Sequence, residues 1–233
     1  MAATDPLAEE GLVDSVTAYV RAYMANYDGS HDFNHIRRVV GLAKYIHAHS
    51  PETPARDPQV VVLAALLHDV GDKKYLKPGE DASTMVYELL LSLGATEQLS
   101  KRVQAVCLGV SYSSEVKDPA RVRDLIKSHP ELAVVQDADR LDAIGGIGIG
   151  RVFTFTGAQK KASMADSIQH FHDKLLRIEG MMKTDVGREL AKVRTERMEE
   201  FLKWWAEEAV LPSEPADPAP TEQSASARWT MRE

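Results

Sequence analysis

The chain has 233 residues, of which 44% are hydrophobic and 27% are charged, and its formal net charge is -7. This composition supports a substantial core and excludes wholesale disorder, and the length suits one domain with a tail. The acidic balance argues against binding to a nucleic acid polymer, and no apolar run approaches the about 20 residues that span a membrane. The single cysteine, Cys107, excludes an internal disulfide framework and favours a cytoplasmic location.

Helical periodicity dominates the chain. A first apolar stripe, at spacings of three and four, starts at Leu12. A second follows Ser30 or Asp32, either of which could cap the helix, and Pro58 opens a third helix that is apolar nearly all round. Further helical segments are predicted at 81–93, 96–109, 119–128, 131–144, 163–180 and 184–209. We therefore predict an all-α fold, a single bundle of about eight or nine helices.

The end of the chain differs from the rest. Four of the eleven prolines fall within residues 212–233, and this stretch has no apolar period. We predict a folded domain over 1–211 and a Pro-rich, disordered tail over 212–233. The amphipathic final helix could pack within one chain or between two, so a homodimer stays open.

Histidines and aspartates form three clusters beside predicted apolar helices. His31 and His35 lie one helical turn apart, and His68-Asp69 directly follows the buried third helix. Desolvating such groups is costly unless something compensates, and a divalent metal is the strongest local compensator. Imidazole and carboxylate ligands suit Mn²⁺, Fe²⁺, Co²⁺ or Mg²⁺.

The third cluster is QDADRLDA, residues 136–143. Asp139 and Asp142 share a helix face, whereas Asp137 points elsewhere. This segment could instead be an exposed helix face. Arg38, three residues after His35, could form a surface ion pair and take no part in a site. We expect five other histidines to be capping or core residues: His47, His49, His129, His170 and His172. Spacing alone leaves both a metal site and these alternatives open.

The order of His35, His68-Asp69 and Asp139 resembles the signature of the HD superfamily of metal-dependent phosphohydrolases. More narrowly, SHDFNHIRRV, LAALLHDVGDKKY and HPELAVVQDADRLDAIGGIGIGR resemble small HD hydrolases related to bacterial nucleoside triphosphate pyrophosphohydrolases. The resemblance covers about residues 12–209 and leaves out the tail.

The resemblance implies an HD-type helical fold with four protein ligands to one divalent ion, namely His35, His68, Asp69 and Asp139. Mn²⁺ is the expected ion, with Fe²⁺, Co²⁺ or Mg²⁺ as alternatives. Asp137 is a less favoured fourth ligand and Asp142 less favoured still. Relatives with two metals carry extra histidines in the region that corresponds to 105–116, where this chain has none, so one ion is expected.

Further residues near this ligand set have expected roles. By the same resemblance, Asp72 matches the place of a general acid/base carboxylate, which could take the proton of a metal-activated water. Lys73 or Lys74 could hold phosphate oxygens. His31 could reach the same pocket, or could simply form a local hydrogen bond at the helix start. The glycines of GGIGIG, residues 145–150, do not fit a dinucleotide loop because no strand precedes them.

The expected activity is that of a metal-dependent phosphohydrolase. Its substrate would be a small phosphorylated compound, with a nucleoside triphosphate cleaved to monophosphate and pyrophosphate by attack of a metal-activated water. A phosphodiesterase or a nucleotide monophosphatase on the same metal site is the alternative. A non-catalytic binding protein that has kept the HD fold is less favoured, because every ligand position is filled.

Overall fold

Eleven α-helices and no strand occur in residues 6–25, 27–72, 76, 79–160 and 163–209, which a computed structural model describes. The predicted all-α class is confirmed. The α-helices are α1 Pro6–Tyr23, α2 Phe33–His49, α3 Pro58–Leu67, α4 Met85–Ser92, α5 Glu97–Val110, α6 Tyr112–Lys117, α7 Pro119–Ser128, α8 Glu131–Asp142, α9 Gly145–Phe155, α10 Met164–Asp173 and α11 Asp185–Ala209. They exceed the expected eight or nine because short α6 and glycine-rich α9 form separate helices.

Side-chain caps fix where the helices of the site begin. Of the two candidate caps for α2, the structure selects Asp32, whose carboxylate accepts hydrogen bonds from the backbone N–H groups of Asn34 and His35. Asp57 caps α3 in the same way, with Pro58 at the first helical position. Both caps set the register that carries the histidines of the site.

The core is built around α3. Its residues Val60, Val61 and Leu63–Leu67 are buried, as its nearly all-apolar sequence predicts. This helix packs against α1, α2, α5 and α8, and α8 packs in turn on α2 and α5. Polar residues at the ends of α3 and α8 therefore lie at the edge of the core and beside α2.

The chain turns sharply between α8 and α9. Gly145 has φ +72, a conformation that favours glycine, and a Cβ on Gly148 would collide with the carbonyl oxygen of Ala143. The glycines thus permit a tight turn and close backbone approach. This structural role agrees with the conclusion that GGIGIG does not form a dinucleotide-binding loop.

The chain divides into two compact units, Met1–Glu199 and Glu200–Glu233. All residues discussed at the site lie in the first unit. The predicted boundary after residue 211 and the tail over 212–233 lie outside the described residues. None of the described helices combines the length and the hydropathy needed to cross a bilayer.

Candidate metal centre

Four side chains from α2, α8 and the turn after α3 meet at the edge of the core. The Nε2 atoms of His35 on α2 and His68 at the end of α3 lie 3.3 Å apart. Oδ1 of Asp139, in the last turn of α8, lies 3.5 Å from the first and 3.6 Å from the second. Asp69 places Oδ2 3.4 Å from His35 Nε2 and Oδ1 3.5 Å from His68 Nε2. The structure therefore brings together all four residues that the resemblance selects.

The two imidazoles are held with their Nε2 atoms facing each other. Nδ1 of His35 lies 2.8 Å from Oδ2 of Asp142, and Nδ1 of His68 lies 2.9 Å from the carbonyl oxygen of Ala65. A carbonyl and an ionised carboxylate only accept hydrogen bonds, so each Nδ1 must be the donor. When neutral, a ring with its proton on Nδ1 presents the lone pair of its Nε2 to the centre of the cluster.

The directions of the pKa shifts indicate that this cluster stabilises positive charge. Burial alone would lower the pKa of His68, but the negative charges of Asp69 and Asp139 outweigh it and raise that pKa to about 9. Burial would raise the pKa of both aspartates, yet the neighbouring histidines hold both values well below their usual range. A proton or a metal cation between these atoms supplies that positive charge.

A divalent ion fits this donor set. Two ligand atoms at about 2.0–2.2 Å from one ion lie about 3.0–3.5 Å from each other, which is close to the observed spacing. His35, His68 and Asp139 each offer an atom within 4.8 Å of the others. Among the described residues, no donor hydrogen-bonds to the buried Oδ2 of Asp69, so this oxygen is available to an ion.

Asp142 has a role that the sequence did not reveal. Besides His35, it binds Arg38, whose Nε donates to Oδ1 at 2.6 Å, and Arg151, whose Nη1 donates to Oδ2 at 3.2 Å. Burial raises its pKa, but the hydrogen bonds from His35 and Arg38 lower it to about 2. The ionised carboxylate thus orients His35. The signal available in the sequence was its position three residues after Asp139.

Asp137 points away from the cluster. It is fully buried and accepts hydrogen bonds from the backbone N–H groups of Lys183 and Thr184 at 2.9 and 2.7 Å, and from the Thr184 hydroxyl at 2.7 Å. Burial raises its pKa despite these donors. Asp137 therefore anchors the segment that leads into α11.

The structure describes two of the three other predicted residues, Asp72 and His31. Asp72 is half-buried in the turn after His68-Asp69, where its N–H donates to the carbonyl oxygen of Asp69 at 3.2 Å. The ring of His31 lies 6.2 Å from that of His35, and its Nδ1 lies 2.7 Å from the hydroxyl oxygen of Ser30. His31 thus combines the local bond with proximity to the cluster. Lys73 lies outside the described residues.

A second ionic cluster holds α8 through Arg140. No motif or periodicity in the sequence indicates this cluster. Arg140 is only 2% exposed, and its guanidinium pairs with the carboxylate of Glu115. Lys183 donates from Nζ to the same carboxylate at 2.8 Å. Because Arg140 directly follows Asp139, this cluster fixes the rotation of the helix turn that carries Asp139.

Comparisons with known proteins show which proteins this chain is similar to. A family model described as the HD domain matches residues 32–144. The uncharacterized protein YpgQ of Bacillus subtilis (strain 168) is 34% identical over 196 residues, which cover 82% of this chain and 90% of that protein.

Two crystal structures extend the likeness. Bacillus subtilis YpgQ in complex with ADP superposes with a TM-score of 0.68 at 32% identity, covering 88% of this chain and 98% of that one. An HD-superfamily hydrolase from Bacillus thuringiensis superposes with a TM-score of 0.63 at 28% identity, covering 86% and 98%. The histidines and aspartates of the sequence pattern meet at one point of a helical fold that is similar to these structures. The chain therefore belongs to the HD superfamily and is a metal-dependent hydrolase.

Proposed function

We propose that this chain is a phosphohydrolase that acts on a small phosphorylated compound, with nucleotides as the substrate class. The observation that carries the proposal is the meeting of two Nε2 atoms and two carboxylates at 3.3–3.6 Å. The relative YpgQ has been crystallised with ADP, which favours a nucleotide over other phosphorylated compounds.

The proposed ligand set for one divalent ion is His35, His68, Asp69 and Asp139. Mn²⁺ is the proposed ion, because two imidazoles and two carboxylates form a donor set of intermediate hardness. When bound, such an ion supplies Lewis acidity that activates water for attack at phosphorus. Asp139 is 28% exposed and Asp69 16% exposed, so the cluster is accessible to a substrate.

Residues around the cluster have proposed roles in handling the substrate. Asp72, in the turn after the ligands, is proposed to take the proton of the attacking water. The guanidinium of Arg38 is about one-third exposed beside the cluster and offers positive charge to a phosphate. Lys73 and His31 are proposed to hold further phosphate oxygens.

The proposed reaction on a nucleoside triphosphate is attack at the α-phosphorus. The bond between the α-phosphorus and the bridging oxygen breaks, and the products are nucleoside monophosphate and pyrophosphate. This outcome is proposed from the resemblance of SHDFNHIRRV and LAALLHDVGDKKY to the pyrophosphohydrolase-like subgroup.

The direct test is hydrolysis by the full chain loaded with Mn²⁺, assayed on nucleoside mono-, di- and triphosphates and on a cyclic nucleotide. We expect pyrophosphate from a triphosphate and no turnover by His68→Ala. For Asp72→Asn we expect a kcat about 10²–10⁴-fold lower with the ion retained. Orthophosphate alone would indicate a monophosphatase, and a linear product from the cyclic nucleotide would indicate a phosphodiesterase. Absence of any phosphate product would refute the proposal.

A further inference from the structure

A second pocket lies away from the metal centre. It has a volume of about 470 Å³ and opens between the segment 50–56, helix α7, the first turn of α8 and the segment 183–188. None of its lining residues belongs to the metal cluster. Ala133 lines the pocket on α8, and Asp139 follows six residues later, about 9 Å further along the helix axis.

Positive charge is concentrated on this pocket. Its wall carries five cationic side chains: Arg56, Arg123, Lys127, Lys183 and Arg188. Arg188 pairs with Asp185 and Lys183 pairs with Glu115, so the other three remain for a ligand. This excess stands out in a chain whose net charge is -7. A pocket that gathers cations in an acidic protein is suited to an anionic ligand.

Several of these cations can reach a ligand. Arg123 is exposed on α7. Lys127 lies one turn further on and pairs with Asp124, but both side chains are more than 70% exposed (77% and 73%). Exposed ion pairs of this kind are weak. A bound phosphate can therefore replace Asp124 as the partner of Lys127.

Two polar atoms of the pocket residues lack a partner. Nε of Arg56 and the hydroxyl oxygen of Ser50 are buried and make no hydrogen bond to any of the described residues. A buried donor without an acceptor destabilises a protein. An anion that reaches these two atoms would supply the missing acceptors.

Apart from Thr53 and Thr184, the remaining wall is apolar. It is formed by compact side chains that have no hydrogen-bonding groups: Pro51, Pro54, Ile126, Pro130 and Ala133. An inorganic anion would leave this surface uncovered, whereas an organic phosphate would bury it. The volume also falls in the range of small-molecule sites, about 300–1,000 Å³.

We propose that this pocket is a second binding site, for a nucleoside phosphate, separate from the metal centre. The phosphates bind Arg56, Arg123 and Lys127, and the base packs on Ile126 and the prolines. The pocket borders Lys183 and Thr184, whose backbone N–H groups hold Asp137 on α8. This inference does not depend on the proposed hydrolysis.

The test is titration calorimetry of the full chain with ADP in EDTA, where no divalent ion is available and no hydrolysis is required. We expect saturable binding that weakens with added salt. Arg123→Glu should weaken it by about tenfold or more, as loss of a charged hydrogen bond implies. The matched control is Arg121→Glu, an exposed arginine on the same helix that does not line the pocket. It should change the affinity by less than about twofold.

Three results would overturn the site. The first is absence of saturable ADP binding in EDTA. The second is unchanged affinity in Arg123→Glu together with loss of binding in His68→Ala, which would place ADP at the metal centre alone. The third is equal binding of pyrophosphate and ADP, which would leave no role for the apolar wall. A chain that binds ADP in EDTA but hydrolyses no nucleotide would refute the proposed function and leave this site standing.

Discussion

At the scale of single residues, His35 lies between aspartates on both of its ring nitrogens. Its Nδ1 lies 2.8 Å from Asp142, and its Nε2 lies 3.5 Å from Asp139. The two aspartates are three positions apart on α8 and play different parts. Asp139 faces the cluster, whereas Asp142 holds the proton on Nδ1 and keeps the Nε2 lone pair directed at the ion site.

We predict that Asp142→Asn weakens binding of the divalent ion without abolishing it. The amide can fill the same space, but it is uncharged and cannot hold the Nδ1 proton as firmly. Loss of such a partner typically reduces metal affinity about 10–100-fold. Competition with a chelator of known affinity measures the change.

The control for this substitution is Asp124→Asn, which removes an exposed aspartate on α7. We expect it to leave the metal affinity unchanged. Equal affinities in Asp142→Asn and in the unmodified chain would show that Asp142 does not orient His35.

At the scale of elements, α8 is the helix on which the site depends. One side carries Asp139 and Asp142 into the cluster. Asp137 and Arg140 bind residues that lie around the start of α11 and at α6. A helix fixed on both sides cannot rotate without breaking one set of contacts, so its stability and its metal geometry are linked.

We predict that Glu115→Gln destabilises the fold by about 3 kcal/mol at neutral pH, because it leaves the buried charge of Arg140 without a counterion. Burial raises the pKa of Glu115, but Lys183 and Arg140 outweigh it and hold the pKa below its usual value. A lowered carboxyl pKa contributes stability above the unfolded value, near pH 4, and this contribution is lost as the pH falls through the folded value.

The difference in unfolding free energy between Glu115→Gln and the unmodified chain should therefore shrink below about pH 4. Urea unfolding at a series of pH values measures it. Glu97→Gln, which removes an exposed pair with Lys101, should barely alter stability. A difference between the Glu115 variant and the unmodified chain that is constant down to pH 2 would contradict the assignment.

The junction of α8 with α11 gives a second prediction at this scale. A Cβ on Gly187 would collide with Oδ2 of Asp137 and with the Thr184 hydroxyl, whereas nothing lies within 4 Å of a Cβ on Gly150. We expect Gly187→Ala to destabilise the fold by about 1–3 kcal/mol. Gly150→Ala, on exposed helix surface, should be neutral or stabilise by up to about 1 kcal/mol. Thermal unfolding of the two variants measures these changes in stability. Equal effects would contradict close packing at Gly187.

At the scale of the whole molecule, the parts that could be predicted are those encoded locally. Apolar periodicity, a cap at Ser30 or Asp32, Pro58 and the His68-Asp69 pair at a helix end all act within a few residues. The four candidate ligands were found because their types and order form a recognisable pattern. The fold class and the meeting of these residues therefore followed from the sequence.

The parts that could not be predicted depend on contacts between distant segments. Helical spacing separates Asp137 from Asp139 and Asp142. It does not show that the backbone N–H groups of Lys183 and Thr184 bind Asp137. The pairing of Glu115 with Arg140 and Lys183 joins positions 25 and 68 residues apart. No periodicity or motif reports such partners, since the fold alone brings them together.

The most direct test of the account is the metal content of two matched variants after incubation with Mn²⁺ and removal of free ion. We expect one ion per chain in the unmodified protein and in Asp137→Asn, which loses stability instead. We expect little or no ion in Asp139→Asn, which stays folded. A stoichiometric ion in Asp139→Asn, or its loss in a folded Asp137→Asn, would contradict the assignment of His35, His68, Asp69 and Asp139 as the metal centre.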